Sequence, residues 1–206
     1  MSLTIIIIII TVLVSFAAFQ NAELTDKLIH HPYTEFRHKE YYRWLTSGFI
    51  HGGQMHLFIN MFVFYQFGGF VERVFVAQFG QIQGTIYYLI LYLGAIVFAD
   101  LPSYYKNKNN SDYASLGASG GVSGIMFAYV LFAPIDVIYL YAIIPMYTVI
   151  WGVAYLAYEQ WASRRENDGI GHDAHFYGAV FGIIFTSVMI PRVLPHFIEQ
   201  ITSLFN

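Results

Sequence analysis

Gly117-Ala118-Ser119-Gly120-Gly121-Val122-Ser123-Gly124, running on into Ile125-Met126-Phe127-Ala128-Tyr129-Val130-Leu131-Phe132, is the stretch on which the fold turns. Its first five residues satisfy G-x-S-x-G, the nucleophile elbow of α/β-hydrolases, but that motif needs a strand before it and a soluble sheet around it. Here a polar loop rich in Asn, Lys and Tyr precedes, and an apolar helix follows. The α/β-hydrolase fold is rejected in favour of a membrane helix. Gly117, Gly120, Gly121 and Gly124 give this helix small-xxx-small spacing, which lets membrane helices approach closely. Ordinary packing explains the glycines taken alone equally well.

The rest of the chain agrees with a membrane reading. Of 206 residues, 57% are hydrophobic and 11% charged, against roughly 45–50% and about 25% in ordinary soluble domains. Apolar runs of about 17 to 25 residues recur, each long enough to cross a bilayer core as a helix. They fall at about 3–19, 53–71, 82–101, 117–132 and 173–190, with a fifth-in-order run from the turn at 133–136 to about 158. The expected fold is an all-α membrane protein of six transmembrane helices, one domain over residues 1–206 with an amphipathic, interfacial tail at 191–206. The first run lacks a basic n-region and a cleavage site, so it reads as a retained helix. Its β-branched Ile5 to Ile10 run is helical because a bilayer demands internally satisfied backbone. Pro145 removes one backbone donor and predicts a kink in the fifth helix. A weakly packed fifth helix would offer a lateral route for a substrate helix between helices two and five.

With no Cys in the chain, disulfides, thiolate metal sites and cysteine nucleophiles are excluded. Catalysis has only Ser, His, Asp and Glu to draw on. A net charge of −3 spread over short loops provides no basic stripe for phosphate backbones. The lipid bilayer, and not nucleic acid, is the expected partner.

Polar groups inside a span are costly and form the default list of functional candidates. His56 and Asn60 on the second helix are four residues apart and share a face. Ser119 and Ser123 lie on the fourth helix, and His175 opens Ala174-His175-Phe176-Tyr177-Gly178 on the sixth. Each has a plainer explanation. A lone serine in a membrane helix is usually a packing residue bonded back to its own backbone, and a lone histidine near a helix end is usually structural. The combination argues otherwise, because helices two, four and six begin on the same side if six spans alternate. A metal reading of His51, His56, His172 and His175 finds no H-E-x-x-H and no i, i+4 pair, so no metal is expected.

In order and spacing these residues resemble the rhomboid family of intramembrane serine proteases. The resemblance covers about 42–182, within a rhomboid-type core of about 42–190. It rests on loop 1 (residues 21 to about 50), on His51-Gly52-Gly53-Gln54-Met55-His56-Leu57-Phe58-Ile59-Asn60, on the fourth-helix G-x-S-G and on the sixth-helix A-H-x-x-G-x-x-x-G. It implies Ser119 as nucleophile and His175 as general base, a dyad with no carboxylate, with the Ser119 backbone N–H, His56 and Asn60 forming the oxyanion hole. No cofactor is implied. Asp173 stands two residues from His175, a turn of roughly 200° along a helix, and so points away from the dyad. One departure is Ser123, where the family often carries an aromatic residue packed on the catalytic imidazole; a serine there leaves His175 less constrained.

The resemblance further implies transmembrane protein substrates, cut near the membrane boundary after a small residue. The alternative is a catalytically inactive rhomboid-like protein that binds or escorts membrane proteins, but such relatives lack the dyad that Ser119 and His175 supply. A transporter or channel would favour paired charges or broken helices at the midplane. Apart from Pro145 neither is seen.

The family orientation in the cell (inner) membrane turns loop 1, loop 3 (102–116) and loop 5 (163–171) away from the cytoplasm, although Lys27, Arg37, Lys39, Arg43, Lys106, Lys108, Arg164 and Arg165 all lie in them. The positive-inside rule alone would reverse this. Acidic residues accompany most of these cations, so the family orientation is kept. A reporter fused after loop 3 is expected to register non-cytoplasmic exposure; cytoplasmic exposure would invert the topology.

Overall fold

The computed structural model describes residues 2–140, 143–163 and 171–205. The Ile-rich first run is helix α1, Leu3–Phe19. Loop 1 is more ordered than expected and holds three short helices, α2 (Ala22–Leu28), α3 (Pro32–His38) and α4 (Arg43–Thr46). Then come α5 (Gln54–Phe79), α6 (Gln81–Asn107) and α7 (Ser119–Phe132). An antiparallel hairpin of β1 (Val137–Leu140) and β2 (Ile144–Tyr147) follows, before α8 (Thr148–Ala162), α9 (His172–Met189) and α10 (Val193–Thr202). Loop 5, expected at 163–171, falls outside the described residues except at its two ends, and so do Arg164, Arg165 and the last residue of the tail.

Two expectations are corrected. The fifth helix does not begin after residue 136, and Pro145 does not kink it. Val137, Ile138 and Tyr139 pair with Tyr147, Met146 and Pro145 across the hairpin. β-branched and aromatic side chains favour that pleated surface, and a two-stranded ribbon has an outer edge where a residue without an N–H costs nothing. The idea of a proline-loosened fifth helix loses its basis. The third run, expected to end at about 101, continues through Pro102 in α6 to Asn107. The last turns are held by side chains: Ser103 Oγ donates to the Asp100 carbonyl at 2.8 Å and Asn107 Nδ2 to the Ser103 carbonyl at 3.0 Å.

The six segments expected as spans correspond to α1, α5, α6, α7, α8 and α9. Among the described residues, α6 alone is long and apolar enough to cross a membrane by length and composition; α9 qualifies only together with α10, from which it is bent by 108°, and α1 and α7 are shorter apolar helices. Buried polar groups tie these helices at their ends. Glu72 on α5 caps the start of α1, accepting from Leu3 N at 2.7 Å, Thr4 N at 3.0 Å, Thr4 Oγ1 at 2.7 Å and the Ser2 hydroxyl. This satisfies amides that a helix N-terminus leaves unpaired. At the other end, buried His30 and Glu35 of loop 1 bond at 2.7 Å, His30 Nε2 meets Ser103 Oγ at 2.8 Å, and Ser47 Oγ donates to Asp100 at 3.0 Å. Loop 1 is thereby fastened to the end of α6.

Helix α7 packs against both α6 and α9, which also pack against each other. The expected close approach is present. A Cβ added at Gly178 would lie 2.2 Å from the Gly120 carbonyl oxygen, and one at Gly182 would lie 2.2 Å from that of Gly124. On the α6 side, a Cβ at Gly120 or Gly124 would lie 2.5 Å from the methyl of Ala99 or Ala95. Gly182→Ala is therefore expected to destabilise the fold by about 1–3 kcal/mol through overpacking. Gly69→Ala on α5, where the nearest atom is a flexible Arg73 nitrogen at 3.6 Å, should be neutral or stabilising; thermal unfolding in detergent compares the two.

Candidate active site

The segment entering α7 is held by loop 1. Ser115 and His30 exchange two backbone hydrogen bonds of 3.0 Å, and Gly117 N donates to the Ser47 carbonyl at 3.0 Å. Gly117 has φ +129, and a Cβ there would lie 2.7 Å from His56 Cε1. Glycine is thus required twice over, for its backbone and for the imidazole laid against it. Ala118 N donates to His51 Nε2 at 3.3 Å, while His51 Nδ1 meets Ser15 Oγ at 2.9 Å and Ser15 donates to the Phe49 carbonyl at 3.0 Å. A neutral imidazole has one acceptor nitrogen, so His51 carries its proton on Nδ1. Val122 N takes the Ala118 carbonyl at 2.9 Å. The Ser119 N–H, next along the chain, has no partner among the described residues.

His56 and Asn60 stand one turn apart on α5, as expected. The His56 ring lies 5.0 Å, centroid to centroid, from that of His51. Asn60 is buried and donates one amide hydrogen to the His56 carbonyl at 3.0 Å. That bond orients the carboxamide and leaves its second N–H, so both side chains retain a donor.

His175 stands in the first turn of α9, its side chain 17% exposed. Ser119 opens α7, and the two helices meet at Gly120, whose added Cβ would lie 3.6 Å from the Ala174 carbonyl oxygen. The two residues are thus on adjoining first turns. Among the described residues no hydrogen bond joins the Ser119 hydroxyl to His175.

The surroundings of His175 differ from the expectation of a free-standing dyad. Its Nδ1 lies 3.1 Å from Oε1 of Glu159 on α8, whose Oε2 lies 2.5 Å from His172 Nδ1. One turn earlier on α8, the Tyr155 ring stacks on His175 at 6.4 Å and 23°. The Tyr155 hydroxyl lies 3.0 Å from Ser123 Oγ. Ser123 therefore does not bond back to its own helix, and His175 does not lack an aromatic neighbour; the ring comes from α8 into the room a small residue leaves on α7. Glu159 went unread in the sequence, although a carboxylate at the edge of an apolar run was itself a signal. Asp173, as expected, makes no hydrogen bond to His175 among the described residues. Glu159, His172 and His175 also offer three ligand atoms within 4.8 Å of one another, a donor set that suits a divalent cation as well as hydrogen bonds.

A small helical bundle with buried polar caps and a serine and imidazole on adjoining first turns is thus the class of molecule. The chain belongs to the rhomboid family: the family model for the rhomboid domain matches residues 38–192. Members of this family are integral membrane proteins. The chain is 28% identical over 149 residues to RHOMBOID-like protein 12, mitochondrial, of Arabidopsis thaliana, covering 68% of this chain and 44% of that protein. It is 30% identical over 101 residues to Rhomboid protease GlpG of Haemophilus influenzae, covering 49% of this chain and 44% of that one. The matches thus span less than half the length of either relative.

His51 gives the site a dependence on acid. It stands in the loop before α5, and burial, followed by the charge of His56, pushes its imidazole from 6.5 down to about 3. Between those values the unfolded chain takes up a proton that the fold excludes. Its contribution to stability is complete above about pH 6.5 and is lost progressively as pH falls toward about 3. Wild-type protein should therefore lose more thermal stability between about pH 6.5 and 4.5 than His51→Gln, as measured by scanning calorimetry in detergent.

Proposed function

We propose that the chain is an intramembrane serine endopeptidase of the rhomboid type, cutting transmembrane protein substrates with Ser119 as nucleophile and His175 as general base. The observation that carries this reading is the backbone contact of α7 and α9 at Gly120 and Gly178, which sets a serine and an imidazole on adjoining first turns. In the reaction His175 Nε2 takes the Ser119 hydroxyl proton as Oγ attacks the peptide carbonyl. The proton then passes to the leaving amine as the C–N bond breaks. Water attacks the acyl-enzyme, its proton goes to His175 and on to Ser119 Oγ, and the new carboxyl end is released. The oxyanion of each tetrahedral intermediate is met by the Ser119 N–H at the helix N-terminus, by His56 and by the second Asn60 N–H. One such donor contributes about 3–4 kcal/mol. These steps use no cofactor.

The wider reading is a single rhomboid-type domain over 1–206, crossing the cell membrane six times with loops 1, 3 and 5 away from the cytoplasm. Substrates are cut near the membrane boundary, where these loops admit water. A second reading, an inactive rhomboid-like protein that binds membrane proteins, draws on the unformed Ser119–His175 hydrogen bond. Catalytic hydrogen bonds are often long in resting enzymes and tighten with substrate bound, which favours the protease.

Ser119→Ala and His175→Ala are each expected to abolish both cleavage of a transmembrane reporter substrate and fluorophosphonate labelling, whereas Ser123→Ala remains labelled. Peptide mapping of the label to Ser123, or full activity in Ser119→Ala, would show the assignment wrong. A wild-type protein that neither labels nor cleaves would leave the binding protein as the better reading.

A further inference from the structure

We infer that Glu159 is a positioning residue for the general base, so that Ser119 and His175 work with a third, orienting carboxylate supplied by α8. The inference rests on the protease reading above. Glu159 is 4% exposed on an otherwise apolar helix, a costly location for a carboxylate unless both oxygens are bonded. Both are, Oε2 to His172 and Oε1 to His175. An ionised carboxylate only accepts, so the bond of 3.1 Å requires the proton of His175 on Nδ1. A neutral imidazole carries one proton, which leaves Nε2 with its lone pair. That is the tautomer a base for Ser119 needs.

The same carboxylate then faces the imidazolium that forms when His175 takes the Ser119 proton. No proton passes to Glu159: the O–H bond of Ser119 breaks, the N–H bond forms at Nε2, and Glu159 keeps its charge while stabilising the new cation. Tyr155 supplies the other constraint, since its ring lies nearly parallel to that of His175 and its hydroxyl is fixed by Ser123. Edge and face of the imidazole are thus both held from α8, two residues one turn apart on one helix face. His172 binds the second oxygen of Glu159 and keeps the carboxylate from rotating away.

The test compares wild type with Glu159→Ala and the isosteric Glu159→Gln, using kcat and KM on a transmembrane reporter and ¹⁵N spectra of His175. Wild type should show the proton on Nδ1. Glu159→Ala should lower kcat on the order of 10²- to 10⁴-fold with KM within about twofold, and the Nδ1–H signal should weaken. If the alanine variant does not fold, Glu159→Gln, which keeps shape but not charge, should still lower kcat by about tenfold or more. Wild-type activity with kcat unchanged in Glu159→Gln, or a wild-type proton on Nε2, would overturn this inference alone. So would loss of wild-type activity on chelation and its return with zinc, which would make Glu159, His172 and His175 metal ligands. A wild-type protein with no cleavage and no labelling removes the protease reading and this inference together.

Discussion

The backbones of α7 and α9 touch, and most of the remaining architecture follows from that contact. With carbonyl oxygens at Gly120 and Gly124 lying where Cβ atoms at Gly178 and Gly182 would have to be, the two helices admit no side chain between them. In lipid there is no hydrophobic force to draw helices together, so dispersion at short range does this work. Ala95 and Ala99 extend the same logic to α6, and α7 becomes a slender central helix with larger neighbours outside it. Its first turn can then carry a small polar residue, because nothing bulky competes for the space.

Polar groups are the second constraint, and they sit mostly at helix ends. Glu72 closes the start of α1, and the cluster of His30, Glu35, Ser103, Ser47 and Asp100 joins loop 1 to α6. His51 links α1 to the segment entering α7. Each group satisfies donors or acceptors that an apolar solvent would leave unpaired. The result is that the Gly117 and Ala118 amides are engaged and, among the described residues, the Ser119 amide is not, which sets the chemistry at a defined point of the chain.

How much of this was legible in sequence depends on the range of the interaction. Glycine spacing is a local pattern, and the close approach it predicted on α7 and α9 is present. Helix order along the chain was likewise readable, because apolar runs report their own length. The hairpin was not: hydrophobic residues at 137–147 fit a helix or a strand, and only the pairing of Val137 with Tyr147 and Tyr139 with Pro145 decides. The third helix runs past its apolar stretch because the bonds of Ser103 and Asn107 hold turns that hydrophobicity does not mark. Ser119, His175, His56 and Asn60 stood out in sequence as polar groups in apolar helices, with their roles implied by the family resemblance. Glu159 and Tyr155 come from a helix whose approach to α9 no local pattern encodes. The departure at Ser123, puzzling in sequence, makes sense once Tyr155 is seen across from it.

The hairpin also gives α8 a mechanical character. Thr148 N and Val149 N bond to the Asp136 and Pro134 carbonyls at 2.9 Å, so the first turn of α8 is pinned beside the end of α7. Glu159 lies eleven residues further on, roughly 16 Å along the axis at about 1.5 Å per residue. A helix anchored at one end moves as a lever arm. A tilt of about 10° at the pinned turn displaces a point at that distance by about 3 Å, the length of a hydrogen bond. A rotation of that size at the pinned turn would therefore be enough to make or break the contact between Glu159 and His175.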